Sequence, residues 1–438
     1  MSSTSQPLET WLARFDTQTA LLNGHAVGPV QAMRRNAIAR FSSAGFPTMR
    51  DEEWRFTNPG PVANFTFHME EPPSLTEEQL GLLGLNDPGT HRIVVVNGRI
   101  AAEHSSVGTL PQGATVTGLA AALASDPAGV AELLAGYPEY QTDQFVDLNT
   151  AFFTDGLFLR LANDVVLDAP VHVLYVSSSE GEEGSSNHPR SLVVLGRNAQ
   201  ATVIEEYVGL GSGRRFTNPM TEIVLAEGAH LNHIRVQNEG EHGVHVGSLL
   251  ARQDRSSTLK QFTVSFGGPL VRNNTCSILN GEGAHATMDG VALARGTETV
   301  DNHTTLDHAV ANCTSHELYK SILSERGHAV FSGRIIVRQD AQKTDSKQSN
   351  RTLLLSDEAT IDAKPQLEIF ADDVKCTHGA TIGQLDDEQM FYLRSRGIPV
   401  DEARAILTYA FAEELIEQVQ LPALREHLER LLEARLVA

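Results

Sequence analysis

A loose series of corners running through the middle of the chain constrains its fold more than any other feature. A small residue preceded by a turn-forming one recurs at Asn198-Ala199, Gly228-Ala229, Gly283-Ala284, Gly327-His328-Ala329 and Glu358-Ala359. The alanines lie 30, 55, 45 and 30 residues apart, near multiples of about 15. Coils with one strand and one corner on each of two faces would give that spacing, and self-similarity at such a period points to a solenoid or β-helix. An antiparallel sandwich, whose turns also use Gly and Asn, is the competing architecture. Short apolar runs such as Ile93–Val96 and Leu192–Leu195 end at Asn97-Gly98 and Gly196, as strands closed by turns do.

Both ends of the chain read differently. Trp11, Leu12 and Phe15 share one helical face, and Met33, Ala37, Ile38 and Phe41 share another. Residues 9–44 are therefore expected to be helical and to stop near Gly45-Phe46-Pro47, where proline cannot continue a helix. Helical periodicity returns around residues 119–136 and then not until about residue 386. There Asp386 or Asp387 is placed to cap a helix carrying Met390-Phe391-Tyr392-Leu393, which should end at Gly397 before Pro399. A second helix from about Asp401 aligns Ala403, Ile406, Leu407, Ala410 and Phe411 on one apolar face. A third, after Pro422, aligns Leu424, Leu428, Leu431 and Leu432. Such helices either cover the β unit or dock a partner.

The remaining composition narrows the function. No apolar run approaches the ~20 residues that span a bilayer. Met1–Thr10 is polar and lacks the order of a secretory signal. Three scattered cysteines, Cys276, Cys313 and Cys376, make no disulfide framework and suit a reducing compartment. A cytoplasmic location without membrane association is the expectation. The formal charge of −21 opposes nucleic acid, which proteins hold largely by neutralising phosphate.

Cys376-Thr377-His378 is the most suggestive constellation. Thiolate and imidazole are ligands that iron and iron–sulfur centres accept, and positions i and i+2 of a strand share a face. Two ligands cannot hold a cluster that takes four, so the others would come from another chain. The pairs His230/His233 and His242/His245 are three apart, a helix spacing that does not suit one strand face, and structural roles are expected for them. Cys276 and Cys313 read as small buried fillers, and His303 and His308 as candidates for corner hydrogen bonding. No G-x-x-x-x-G-K-[ST] loop, G-x-S-x-G elbow or H-E-x-x-H motif occurs. The pairs Asp372-Asp373 and Asp386-Asp387 raise the alternative of a carbohydrate-active β-helix enzyme. Neighbours on a strand face opposite ways, however, and the second pair suits a helix start.

The stretch Lys364–Thr381 (KPQLEIFADDVKCTHGAT), continuing through Ile398, resembles the signature of SufD-type subunits in the SufB/SufD family of the SUF iron–sulfur cluster assembly system. Asp301–His308, Ser315–Lys320, Phe331–Val337, Ala341–Thr344 and Leu353–Ser356 are similar to that family as well. Gly45–Arg55 and Leu148–Ala151 add to the likeness near the front. Thr377 stands where the family usually carries serine, and His378-Gly379-Ala380 differs from the His-Glu-Ala usual in SufB. The resemblance implies a mainly β protein, a right-handed parallel β-helix flanked by helical regions. Its expected division is a mostly helical region with a few strands over 1–144, a β-helix core over 145–375 and a helical partner-binding region over 376–438. It further implies a non-enzymatic scaffold that pairs with a SufB-type subunit through the β-helices and binds a SufC-type ATPase at the C-terminal helices. Iron or a cluster would be held transiently at the SufB–SufD interface, by His378 first and Cys376 second, with none tightly bound by the isolated chain. Homodimer formation by the isolated chain and a purely structural role both stay open.

Overall fold

The computed structural model describes residues 5–134, 143–181 and 184–437. Two sheets face each other and the chain alternates between them, winding a parallel β-solenoid of about seven turns. One sheet runs from Ala114–Gly118 and Leu157–Leu161 to His328–Val337 and Thr360–Ile369. The other runs from Arg99–Ile100 and His91–Val96 to Asp345–Leu354 and Lys375–Gly383. Pairing within the stack is parallel, for example Thr299↔His328 and His328↔Thr360, which excludes the sandwich. The coils extend beyond both limits of the expected 145–375 core, since His91–Val96 already pairs in parallel with Val171–Ser178 and the last strand ends at Gly383.

The corners explain the repeat. Asn198, Gly228, Ser256, Gly283, Asn312 and Lys343 all adopt positive φ at the same edge of successive coils, about thirty residues apart. A left-handed residue reverses the chain there, which Gly and Asn do at least steric cost. The residue after each must be small, because it points into the stack: Ala199, Ala229, Ser257, Ala284, Cys313 and Thr344 are all buried. Ala329 and Ala359 belong to the opposite edge, so the 45-residue step measures one and a half coils.

The helices cover the outer faces of the sheets. Trp11 and Phe41 of Ser5–Gln18 and Gly28–Ala44 join Trp54, Phe145, Phe152 and Phe216 in one aromatic cluster against the first sheet. Asp386 accepts hydrogen bonds from the Glu388 and Gln389 amides and caps Asp387–Ser395, as expected. Leu415, Ile416, Leu424, Leu428 and Leu432 bury against Ile234, Val264, Val291 and Ile322 of the second sheet. The apolar face expected on Val400–Ile416 turns out differently. Its buried residues are Ala403, Thr408, Ala412, Leu415 and Ile416, whereas Ile406 and Ala410 face solvent. Contacts near its C-terminal end set the rotation: Lys320 Nζ donates to the Phe411 carbonyl at 2.7 Å and pairs with Glu414 at 2.5 Å. No helix of the described residues is long and apolar enough to cross a membrane.

Candidate metal-ligand site at the uncovered end of the solenoid

The two ends of the solenoid are finished differently. At the first coils, the antiparallel strands Arg99–Ile100 and Ala114–Gly118 close the sheet edges. At the last coil, Thr360–Ile369 is only partly buried and Lys375–Gly383 is almost wholly exposed. An unpaired strand edge is a template for another strand.

Alternate residues of a parallel strand direct their backbone groups to opposite neighbours. Lys375 N donates to the Thr344 carbonyl, so the amides of Cys376, His378, Ala380 and Ile382 point to the free edge. On the other terminal strand, Thr360 N bonds inward to Gly327, which places Pro365 on the free side, where its missing N–H does no harm. The edge ending in Lys375–Gly383 is therefore the more open of the two.

Cys376 and His378 lie on that strand two residues apart, as the sequence suggested. Cys376 is in register with buried Ser346 and packs against the cluster holding Phe331 and Ile335. Burial raises the Cys376 thiol above its ordinary range, more than the Ser346 backbone hydrogen bond lowers it, so binding a metal there releases a proton. His378 is exposed, in register with Gln348 one coil back, and makes no hydrogen bond or ion pair among the described residues. No group of three or more His, Cys, Asp or Glu side chains gathers to hold a metal ion among them either.

Behind His378 stands a polar file that the sequence reading missed. Gln348 is buried and its Nε2 donates to Glu317 Oε2 at 2.7 Å. Glu317 is fully buried, and burial pushes its carboxyl up to about 7, against the lowering effect of nearby Thr304 and of the Gln348 hydrogen bond. Gly333 makes room, because a Cβ there would collide with the Gln348 amide. A count of one coil back from His378 finds Gln348, and of another finds Glu317. The coil length was readable from the corners.

The remaining candidates lie elsewhere. His233 is buried against Glu205 at 3.2 Å and His245 against Glu239 at 2.8 Å, while His230 is exposed and His242 lies near the surface. His303 sits mid-strand between Asp301 and Glu53, at 3.0 and 3.3 Å, rather than at a corner. His308 Nε2 meets Ser315 Oγ at 2.9 Å, and burial lowers its pKa to about 4. Cys313 is a buried corner residue, as expected of a filler. Cys276 is only half-buried and lines a cleft. Asp373 pairs with Lys343 at the surface.

Comparison with known proteins accounts for this plan. The family described as "SUF system FeS cluster assembly, SufBD core domain" matches residues 175–411, and "SufBD protein N-terminal region" matches residues 5–173. The chain belongs to the SufBD family. The iron–sulfur cluster assembly protein SufD of Escherichia coli (strain K12) is 32% identical to it over 97% of this chain and 96% of its own length. An iron–sulfur cluster assembly SufBD family protein of Synechocystis is 32% identical, covering 96% of this chain and 94% of its own. The chloroplastic protein ABCI7 of Arabidopsis thaliana is 29% identical over 89% and 82%. SufBD membership supports a role in iron–sulfur cluster assembly.

Proposed function

We propose that this chain is a non-enzymatic scaffold that pairs with a SufB-type subunit along the Lys375–Gly383 edge and offers His378, aided by Cys376, to iron or a nascent cluster. The observation that carries this reading is the coincidence of two ligand side chains with the most open strand edge of the fold. The metal is cargo, completed by ligands from the partner and passed on. A SufC-type ATPase docks on the C-terminal helices, where Phe391, Tyr392, Val400 and Ile406 are exposed apolar residues on a region otherwise anchored to the solenoid. Docking there would couple ATP hydrolysis to movement at the neighbouring last coil. A second copy of this chain can use the same edge when no partner is present.

The test is His378→Ala in the co-expressed complex, with iron and sulfide measured on the purified assembly. The variant should fold and hold both partners, because one exposed side chain is a small part of an interface. Its cluster content should fall at least tenfold, and it should fail to support growth under iron limitation. Cys376→Ala should show a milder loss. Full cluster content in the double variant would refute the ligand assignment and leave a purely architectural subunit.

A further inference from the structure

On the outer face of the first sheet, on the opposite sheet from the strand carrying Cys376 and His378, a cleft of about 220 Å³ opens beneath the N-terminal region. Its floor is a small lattice of outward side chains on neighbouring strands. Ser248 comes from Gly243–Gln253, Asn274 and Cys276 from Leu270–Leu279, and Arg334 from His328–Val337.

The charges around it are mostly spent. Arg272 is paired with Asp301 at 2.6 Å, and His303 bridges Asp301 and Glu53. Asp143 uses its carboxylate to cap the helix Gln144–Phe152. Arg334 is different: it is partly exposed, and its one ion pair among the described residues is a loose approach to Glu368 at 3.9 Å.

Among the described residues, two buried donors are left without partners there. Ser248 is 5% exposed and its Oγ makes no hydrogen bond. Asn274 Oδ1 accepts from Arg272 Nε at 3.1 Å, which fixes the amide orientation and leaves Nδ2 buried and unpartnered. Buried polar groups without partners are uncommon and costly, so a ligand or water is expected against them. Cys276 adds a thiol that burial pushes up to about 12, so it remains a neutral S–H beside them.

We propose that this cleft binds a small oxyanion, carboxylate or phosphoryl, through Arg334, Asn274 Nδ2 and Ser248 Oγ. The available groups donate and carry one loosely neutralised positive charge, the complement of an acceptor-only anion. A water takes about 30 Å³ of liquid, so the cleft has room for a ligand of a few heavy atoms. Metal cations are disfavoured because no three His, Cys, Asp or Glu side chains of the described residues gather there and the nearby carboxylates are already engaged. The anion would lie beside Val146, on the side of the cleft where Glu53 is already neutralised by His303.

The full-length chain should be titrated with inorganic phosphate and, separately, with malonate, against chloride at equal ionic strength, by calorimetry. Saturable binding of at least one oxyanion is expected, and the arm that binds identifies its class. Arg334→Gln and Asn274→Asp should each weaken binding tenfold or more; the second keeps the acceptor for Arg272 while placing a carboxylate in the cleft. Circular dichroism checks that both variants fold. Unchanged affinity in both, or no saturable binding of either anion above the chloride control, overturns the proposal. Neither outcome bears on His378, whose test is cluster content.

Discussion

Cys376 and His378 were legible because strand alternation alone puts residues i and i+2 on one face. Gln348 and Glu317 were missed, because their relation to His378 emerges only when the coil length set by the corners is counted back across strands about thirty residues apart. Glu317 also gives a pH-dependent prediction. Its folded pKa is raised from 4.5 to about 7, principally by burial. Between those values the native state holds a proton that the unfolded chain has lost. Stability therefore falls as pH rises from 4.5 to 7 and is flat beyond, a change on the order of 3 kcal/mol. Glu317→Gln keeps a hydrogen-bonding side chain without the charge. Urea unfolding of the variant should lose this slope and show it more stable than the parent at pH 8, with little difference at pH 5. Parallel curves at the two pH values would show that Glu317 ionises in the lumen without penalty.

Elements were legible where one face is apolar and hidden where burial is all-round. The helix Gln144–Phe152 escaped the sequence reading because Asp147, Asn149 and Thr150 are buried along with Phe145, Leu148 and Phe152, so no amphipathic period survives. The apolar face of Val400–Ile416 was assigned from the first three turns, whereas its fit is set by Leu415 and Ile416 in the last. The last strand makes a sharper prediction. The Ala380 amide points to the free edge and the Thr381 amide back to Asp345–Leu354. Ala380→Pro removes only an edge donor, as proline does at sheet edges. It should leave the circular dichroism spectrum unchanged while weakening association with the SufB-type subunit tenfold or more. Thr381→Pro removes an internal ladder bond and should disturb the fold of the chain alone. Equal binding by the Ala380→Pro chain would show that the partner does not add to this edge.

At the scale of the whole molecule, the solenoid repeat announced itself through the corners, but the joints between solenoid and flanking helices did not, since they join residues hundreds of positions apart. Glu206 is one such joint. It is buried in the strand Gln200–Leu210 and accepts from His172 Nε2 at 3.1 Å, His427 Nε2 at 2.7 Å and the Leu85 amide at 2.8 Å. It thus ties an N-terminal segment, two strands and the last helix together. Burial alone would raise its pKa, but the bonds from His172 and His427 outweigh that and bring it to about 2. Because the folded pKa lies below the unfolded 4.5, this joint contributes its full stability above pH 4.5, about 3 kcal/mol, and loses it as pH falls toward 2. Truncating 386–438 would break this joint and also strip Leu415, Leu424 and Leu428 from the second sheet, so loss of ATPase binding by such a chain could not be separated from damage to the core. His427→Ala is the cleaner probe. It removes one donor from a buried carboxylate, a change worth roughly 2 kcal/mol, without touching the exposed Phe391, Tyr392 and Ile406. Acid unfolding should begin at a higher pH, and hydrogen exchange should quicken in Pro422–Val437 more than in the mid-solenoid strands. His427→Gln, which restores an N–H donor, should recover most of both effects. If exchange in the last helix is the same in His427→Ala as in the parent, the leucine contacts alone hold it, and the Glu206 joint is not what fixes the C-terminal helices to the solenoid.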